Sequence, residues 1–445
     1  MPVMRAILTL TIPMIVGSIV SVIYNLADTY FVGMLNDPIQ NAAVTLTAPA
    51  MSLFYGVTNL FGVGSSSLMS RSLGVKDYVR VKKASATGIY FSLFFSVLLS
   101  VLVLVFNTPV LELLGTTAET YSATKQYLFW TVGIGAVPGI MNILFGYLLR
   151  AEGEAIHASV GTMSGCIINI ILDPFFILPS FMDLGAEGAG MATFFSSCFS
   201  CAYFLIFLFR RWGKSYVCLN PKFVSFEKCI LAAVFIVGIP GVFQNILNVA
   251  GMTIFNNLAA GFGTVAVAAL GIVIKVNQLP IQIVFGFSQG VMPLIGYNYA
   301  SGDHIRMKEV IKKTFIVMMS ALILTTLIYI FCGGGITRFF LDNDEIVEIG
   351  SLYFTGFGLS FPFMCVDFMT VGISQSFGIG RHALIFSFLR KAAFEIPAVL
   401  ILAHFFGLYG MPYAQAIAEA LMCLIAIFVL KGLLTEKKKS GDLPD

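Results

Sequence analysis

Charge is scarce in this chain, and that scarcity excludes a water-soluble fold. Of its 445 residues only 11% are charged, 58% are hydrophobic, and the mean hydropathy is +0.90. A soluble domain is about one quarter charged. Apolar stretches recur along the chain, many of them longer than the roughly 20 residues that a helix needs to cross a hydrocarbon core. The composition predicts an all-α integral membrane protein, and the net charge of +3 gives no reason to expect a nucleic-acid partner.

Residue patterns that support disulfide, nucleotide or zinc chemistry are also missing. The eight cysteines form no paired framework in loops, and Cys198 and Cys201 lie in an apolar stretch where ordinary packing is expected. The segment 213–215 is similar to the end of a Walker A loop, but Leu208 stands where its first glycine is needed, which argues against ATP-driven pumping. The four histidines lack the spacing of zinc hydrolases. We therefore expect the protein to need no cofactor and to have no enzymatic activity.

Charged, glycine-rich and proline-rich breaks divide the apolar sequence into twelve predicted transmembrane helices. The loops between them alternate in character, because Lys and Arg concentrate in 71–83, 210–228, 306–313 and 431–439, while acids concentrate in the opposite loops. By the positive-inside rule, both termini are expected in the cytoplasm. The helices are expected near 6–34, 42–70, 84–106, 126–149, 156–180, 188–209, 229–257, 264–298, 314–333, 351–377, 383–404 and 411–431.

The second half of the chain repeats the first. The matching pairs, in chain order, are Pro13 with Pro240, Asp77 with Asp303, Pro138 with Pro362, Gly153 with Gly378, and Gly185 with Gly407. Each half contains six predicted helices, so both halves enter the membrane from the same side and the repeats are parallel. We expect two six-helix bundles around a central cleft: an N-terminal lobe (1–209), a cytoplasmic linker (210–228), a C-terminal lobe (229–431) and a cytoplasmic tail (432–445). Two such bundles favour transport by alternating access.

Two aspartates in the N-terminal lobe are predicted to lie within the membrane. Asp28, Asp173 and Thr193 fall at a similar depth of about 10 Å, and Asn169 lies one helical turn from Asp173. A charge at such depth costs roughly 2.5–3.5 kcal/mol even on the lenient insertion scale, which favours a functional role. These oxygen ligands suit an alkali cation such as Na⁺, and two close carboxylates could instead share a proton. The alternative is that each aspartate only bonds a neighbouring helix.

Further ionisable residues are predicted within the C-terminal lobe. Lys275 and Asp367 have opposite charges at matching depth, which predicts a buried pair that is either fixed or opened during transport. Arg390, Lys391 and Glu395 could form a second network, although the two cations are close enough to the cytoplasmic side to snorkel. The predicted substrate cavity or charge network comprises Lys275, Asp367, Arg390, Gln244 and Glu419.

The chain resembles the multidrug and toxic compound extrusion family, and the likeness extends along essentially its whole length. The residues that carry it lie at 24–33, 150–153, 169–174, 188–193, 289–290 and 296–298. Within the family the chain is most similar to the MepA-like bacterial branch, partly because Arg390 is followed by Ile396 and Pro397. The resemblance implies a V-shaped pair of lobes in a bacterial cytoplasmic membrane that exports cationic, amphipathic drugs in exchange for Na⁺ or H⁺.

The resemblance also implies residue roles. It assigns Asp28, Asn169, Asp173 and Thr193 to a cation-coupling site, and it implies that the first helix bends at Pro13 when this site is occupied. We expect the chain to act as a monomer whose partners are membrane lipid and a small organic substrate.

One departure from the family and two alternative functions remain at this point. Some relatives carry an acid in the seventh helix, where this chain offers Gln244, so a complete ion site in the C-terminal lobe is not expected, although Asp367 could take part. One alternative function is a related flippase for lipid-linked saccharides. A remote alternative is an intramembrane acid hydrolase that uses Asp28 and Asp173.

Overall fold

The computed structural model describes residues 2–35 and 37–435. The basic cluster 437–439 and most of the predicted tail 432–445 lie outside the described residues. Within this part of the chain all regular structure is helical. The helices are α1 Val3–Met34, α2 Pro38–Leu46, α3 Ala48–Gly74, α4 Tyr78–Val105, α5 Asn107–Leu113, α6 Tyr121–Leu128, α7 Ala136–Ala151, α8 Ala155–Ile177, α9 Gly185–Arg210, α10 Lys228–Gly261, α11 Thr264–Ala300, α12 His304–Phe340, α13 Asp344–Ser376, α14 Gly380–Phe388, α15 Ile396–Phe406 and α16 Tyr413–Thr435.

The twelve predicted spans all have helical counterparts. Ten described helices are long and apolar enough to cross a membrane, with α14 and α15 counted as one, and α6 with α7 form an eleventh span bent by 44°. The twelfth, α3, is 27 residues long and includes several buried serines. The predicted second helix 42–70 is wrong at its start, because Pro49 occupies the first turn of α3 and 38–46 forms the separate α2.

Two spans contain short π-helical stretches. One, Phe129–Gly133, connects α6 to the bend before α7. The other, Leu389–Glu395, joins α14 to α15 and carries three of the ionisable residues singled out in the sequence. A π-helical turn changes which side chains share a helix face, and such turns are frequent at functional sites.

The repeated Asp-x-x-Arg motif marks the beginning of a helix in each lobe. Asp77 precedes α4 and accepts a hydrogen bond from the Arg80 N–H at 2.9 Å. Asp303 precedes α12 and accepts one from the Arg306 N–H at 3.0 Å. Each carboxylate therefore satisfies a backbone donor that the first helical turn leaves unpaired. We call the side of the molecule that carries these two helix starts the basic face, and the opposite side the acidic face.

The first helix of each lobe packs against the other lobe near the basic face. Val3 and Ile7 of α1 belong to the apolar core of the C-terminal lobe. Ile230 and Val234 of α10 belong to a core of the N-terminal lobe. This exchange fits the two-bundle repeat, because α1 and α10 occupy equivalent positions in the two halves.

Glycines allow the lobes to approach closely at this interface. A Cβ on Gly238 of α10 would lie 1.9 Å from the Leu60 carbonyl oxygen of α3, and one on Gly64 would lie 2.3 Å from the Val234 carbonyl oxygen. Ser67 of α3 also donates a hydrogen bond to the Gln375 carbonyl of α13 at 2.5 Å. These contacts close the lobes together in the half of the membrane nearer the basic face.

A central cleft of about 400 Å³ lies between the lobes. The N-terminal lobe lines it with residues of α1, α3, α7 and α8, and the C-terminal lobe with residues of α10, α11 and α13. Its volume is in the range of pockets that hold drug-sized molecules, about 300–1,000 Å³.

Candidate functional site

The N-terminal lobe contains a cluster of polar side chains contributed by α1, α8 and α9. Asn169 and Asp173 lie one turn apart on α8, and both are buried. In the amide orientation that satisfies its neighbours, Asn169 donates to the two Asp173 carboxylate oxygens at 3.2 and 3.0 Å. It also accepts from the Thr193 N–H of α9 at 3.1 Å. The structure therefore brings these three predicted residues together.

Asp28 of α1 faces the same cluster. It is close enough to Asp173 for the two carboxylates to interact electrostatically. Its Oδ1 atom is buried and has no hydrogen-bond partner among the described residues. An unpaired buried carboxylate oxygen is costly, and its cost is relieved when a proton or a cation binds.

Two tyrosines of this cluster were not predicted from the sequence. Tyr24 lies one turn before Asp28 on α1, interacts with that carboxylate, and places its hydroxyl next to that of Thr193. Tyr127 of α6 interacts electrostatically with both Asp28 and Asp173. The i, i+4 spacing of Tyr24 and Asp28 was a usable signal, because such residues share a helix face. No sequence pattern placed Tyr127 here.

The oxygen atoms of the cluster suit either a proton or an alkali cation. Two carboxylates, an amide and hydroxyl groups are hard oxygen ligands of the kind that alkali cations bind, and two close carboxylates can hold one proton between them. Within 2–35 and 37–435 no cluster of three or more His, Cys, Asp or Glu residues is arranged to hold a metal ion.

A buried charge network occupies the C-terminal lobe. Arg390, in the π-helical stretch, lies 3.4 Å from Asp367 of α13 and 3.9 Å from Glu419 of α16, measured between nitrogen and oxygen atoms. All three side chains are buried. The guanidinium also lies over the Phe368 ring, 5.0 Å from its centroid. One cation here faces two carboxylates within a low-dielectric interior.

The predicted pairing of Lys275 with Asp367 is wrong. Asp367 pairs with Arg390, whereas Lys275 is exposed and forms no ion pair among the described residues. The physical reason is the helix face: Val273 and Asn277 on α11 are buried, and a residue midway between them points about 160° away from each. Equal depth along two helices gives equal height but does not determine the direction of a side chain.

The expectation that Arg390 and Lys391 snorkel towards the membrane surface is also wrong for Arg390, which is buried. Lys391 is part-buried and pairs with Glu395 at 2.6 Å. Within the predicted three-residue network, Arg390 forms its ion pairs with Asp367 and Glu419, whereas Lys391 pairs with Glu395 along the helix. The two groups still interact electrostatically, because Glu395 lies close enough to Arg390, and Lys391 to Glu419, for their charges to be felt.

Two further cavities lie beside the central cleft and are lined by residues of this network. One of about 280 Å³ is lined by Arg390, Lys391, Glu395 and Glu419 together with mainly apolar residues. A smaller one of about 30 Å³ is lined by Asp367, Arg390 and Gln244. Gln244 also lines the central cleft, so four of the five residues predicted for a cavity or charge network lie together. Lys275 is the exception.

Pro13 lies within α1, which is helical from Val3 to Met34. Proline removes one helical hydrogen bond, so the chain is easier to bend at this level than elsewhere in α1. Gly290 of α11 packs against Thr11, two residues before Pro13, and Gly286 packs against Ile15, two residues after it. A bend at Pro13 would therefore alter the contact between the lobes.

Curated relatives match nearly the whole chain. The multidrug export protein MepA of Staphylococcus saprophyticus is 30% identical over 439 residues, covering 98% of this chain and 96% of the relative. MepA of Staphylococcus aureus strain MSSA476 is 31% identical over 430 residues, covering 96% and 94%.

Solved structures show the same fold. The outward-facing structure of a multidrug resistance MATE family transporter aligns with a TM-score of 0.93 at 22% identity, covering 99% of this chain and 98% of that one. The Vibrio cholerae MATE transporter VcmN, in its bent form, aligns with a TM-score of 0.88 at 21% identity, covering 98% of each chain.

The family model described as MatE matches the chain twice, at residues 13–175 and 240–401. The two matches begin at Pro13 and Pro240, which the sequence analysis paired as equivalent positions, so the internal repeat is confirmed. The two matches together span most of the chain, and the relatives and the fold agree with them. The chain therefore belongs to the MatE family of multidrug efflux transporters, as its resemblance to the multidrug and toxic compound extrusion family implied.

Proposed function

We propose that this chain is a secondary active antiporter that exports amphipathic organic molecules in exchange for H⁺ or Na⁺. The observation that carries the proposal is the N-terminal cluster, in which Asp28 lies close enough to Asp173 to interact electrostatically and keeps a buried oxygen without a partner among the described residues. A coupling ion must bind one lobe arrangement more tightly than the other, since a ligand shifts a conformational equilibrium only through differential affinity. Two carboxylates close together can give the ion site this difference in affinity between the two lobe arrangements.

The cluster and the lobe interface share one helix. Asp28 lies near the acidic-face end of α1, whereas Thr11 and Ile15 of the same helix contact α11 of the other lobe. We propose that neutralising the two carboxylates lets α1 bend at Pro13 and release these contacts. Occupancy of the ion site would then be linked to closure of the lobes, and hence to the side on which the cleft is open.

The second part of the proposal concerns where the protein lies and how it is oriented. We propose that both termini lie on the cytoplasmic side of a bacterial cytoplasmic membrane, an orientation that the concentration of Lys and Arg in the loops of the basic face supports. We also propose that the protein acts as a monomer. The relatives are multidrug export proteins, which favours drug efflux over the lipid-linked saccharide flippase.

Everted membrane vesicles provide the test. In these vesicles export appears as uptake of dye into the lumen, and a high luminal concentration of either H⁺ or Na⁺ can be imposed separately. We expect one of the two gradients to accelerate uptake of a fluorescent organic cation, and an ionophore for that ion to abolish the effect. Uptake that responds to neither gradient would contradict ion-coupled antiport.

A further inference from the structure

Arg150 is a cation at the central cleft that has no acidic partner among the described residues. It lies in the last turn of α7 and lines the cleft. In the described part of the chain no carboxylate lies within ion-pairing distance of it and no group of the protein accepts a hydrogen bond from it. Its described contact is with the Tyr147 ring, whose centroid is 4.6 Å from the guanidinium carbon.

The acids that follow Arg150 in the chain are engaged elsewhere. Glu152 accepts hydrogen bonds from the Ser215 hydroxyl and from the N–H of Tyr216. Glu154 pairs with Arg211 at the start of the linker. These two carboxylates hold the linker against the N-terminal lobe, so neither neutralises Arg150.

The other described residues that line the cleft are uncharged, and many are polar or aromatic. Asn59, which accepts a hydrogen bond from the Tyr147 hydroxyl at 3.2 Å, lines it with Gln244, Asn245 and further amides and hydroxyls. None of these described lining residues is an aspartate or glutamate. The carboxylates of the C-terminal lobe line separate neighbouring cavities, where Arg390 and Lys391 accompany them.

We propose that Arg150 is a specificity-determining residue of the cleft, which binds the carboxylate of those exported molecules that carry one. A guanidinium has five N–H donors, and its planar fork binds a carboxylate through two parallel hydrogen bonds. The guanidinium lies over the Tyr147 ring, and none of its N–H donors has a hydrogen-bond partner among the described residues. The inference rests on the proposed export function and assigns a residue that discriminates among its substrates.

A structural role for Arg150 predicts something different. An arginine in the last turn of a helix is stabilised by the helix dipole, and removing it would affect all substrates alike. A recognition role affects only molecules that carry the anionic group. The discriminating quantity is therefore the ratio of transport for two molecules that differ in that group alone.

A rhodamine with a free carboxylate and its ethyl ester are such a pair, since at neutral pH the first is a zwitterion and the second a cation. Uptake of both is measured in the everted vesicles described above. We expect the ratio of acid to ester uptake to fall at least about tenfold in Arg150→Gln, and to fall less in Arg150→Lys, which keeps the charge but not the fork. Lys275→Gln removes a positive charge outside the cleft, and we expect it to leave the ratio as in the wild type.

Binding of the two dyes to the purified protein is measured by fluorescence anisotropy. The ratio of the two affinities tests the same discrimination without requiring transport. An unchanged ratio of affinities in Arg150→Gln would overturn the inference, as would an equal loss of both dyes. If the wild type exports neither dye under any gradient, the proposed function fails. The affinity ratio still decides whether Arg150 recognises the carboxylate.

Discussion

Arg390 is held between two buried carboxylates, Asp367 and Glu419, in the C-terminal lobe. Asp367 Oδ1 and Glu419 Oε2 have no hydrogen-bond partner among the described residues, so these acids depend on the guanidinium for compensation. Removing one member of a buried ionic group leaves uncompensated charge, which destabilises more than the intact group stabilises.

We therefore expect Arg390→Met to lower the free energy of unfolding by about 3–5 kcal/mol, because two carboxylates would remain buried without a cation. Thermal unfolding of the purified protein in detergent measures this. Lys275→Met is the matched control: Lys275 is exposed and unpaired among the described residues, so its loss should change the free energy by no more than about 0.5 kcal/mol. Equal effects of the two substitutions would contradict the described network.

The buried residues show which partners could be predicted from sequence. Asn169 and Asp173 share one helix at a fixed spacing, so their proximity followed from helical geometry alone. Arg390 and Asp367 lie on different helices, and Arg390 sits in a π-helical stretch that no sequence pattern indicated. Whether Arg390 or Lys275 pairs with Asp367 depends on the direction in which each side chain points from its helix axis. The depth of a residue in the membrane does not give this direction.

At the scale of elements, α3 and α10 form the close contact between the lobes. The Gly238 Cα lies so near α3 that an added Cβ would meet the Leu60 carbonyl at 1.9 Å, a backbone atom that cannot move alone. Helix-on-helix contacts through small residues are a principal source of stability within membranes.

We expect Gly238→Ala to separate α10 from α3 and weaken closure of the basic face. A cysteine introduced at Ser67, in a variant without the native cysteines, should then react faster with a water-soluble maleimide. The control is Gly335→Ala in α12, where nothing lies within 4 Å of the added Cβ, so the rate should be unchanged. A Gly238→Ala rate equal to that of the control would show that this contact does not close the lobes.

The elements themselves were largely predictable from sequence. Long apolar runs gave the spans, and the repeated Asp-x-x-Arg motif coincided with two helix starts because the aspartate caps the first turn. The π-helical stretches and the separate α2 were not predicted, because each changes backbone geometry without interrupting the apolar composition. Proline in the first turn of α3 was the one available signal for the break before Ala48.

At the scale of the whole molecule, the parallel repeat places the two capped helix starts on one face. Val79 and Ile305 occupy equivalent positions in the first turns of α4 and α12, and they are 58% and 86% exposed. Both are therefore suitable for labelling without loss of packing.

We expect cysteines introduced at Val79 and Ile305, in a variant without the native cysteines, to be protected from an impermeant maleimide in intact cells and labelled in everted vesicles. A cysteine at Leu113, which is 88% exposed on the acidic face, should show the reverse. Labelling of Val79→Cys or Ile305→Cys from outside would contradict the cytoplasmic assignment of the basic face.

In the proposed mechanism, Asp28 and Asp173 couple the ion gradient to export. The measurement is gradient-driven dye uptake by Asp28→Asn and Asp173→Asn in everted vesicles, because an amide fits the same space and cannot be neutralised by a proton or cation. We expect each variant to be inserted in normal amount, to bind dye, and to lose the acceleration that the ion gradient gives the wild type. Uphill uptake at the wild-type rate by either variant would contradict the account and make Asp367 the first candidate for coupling.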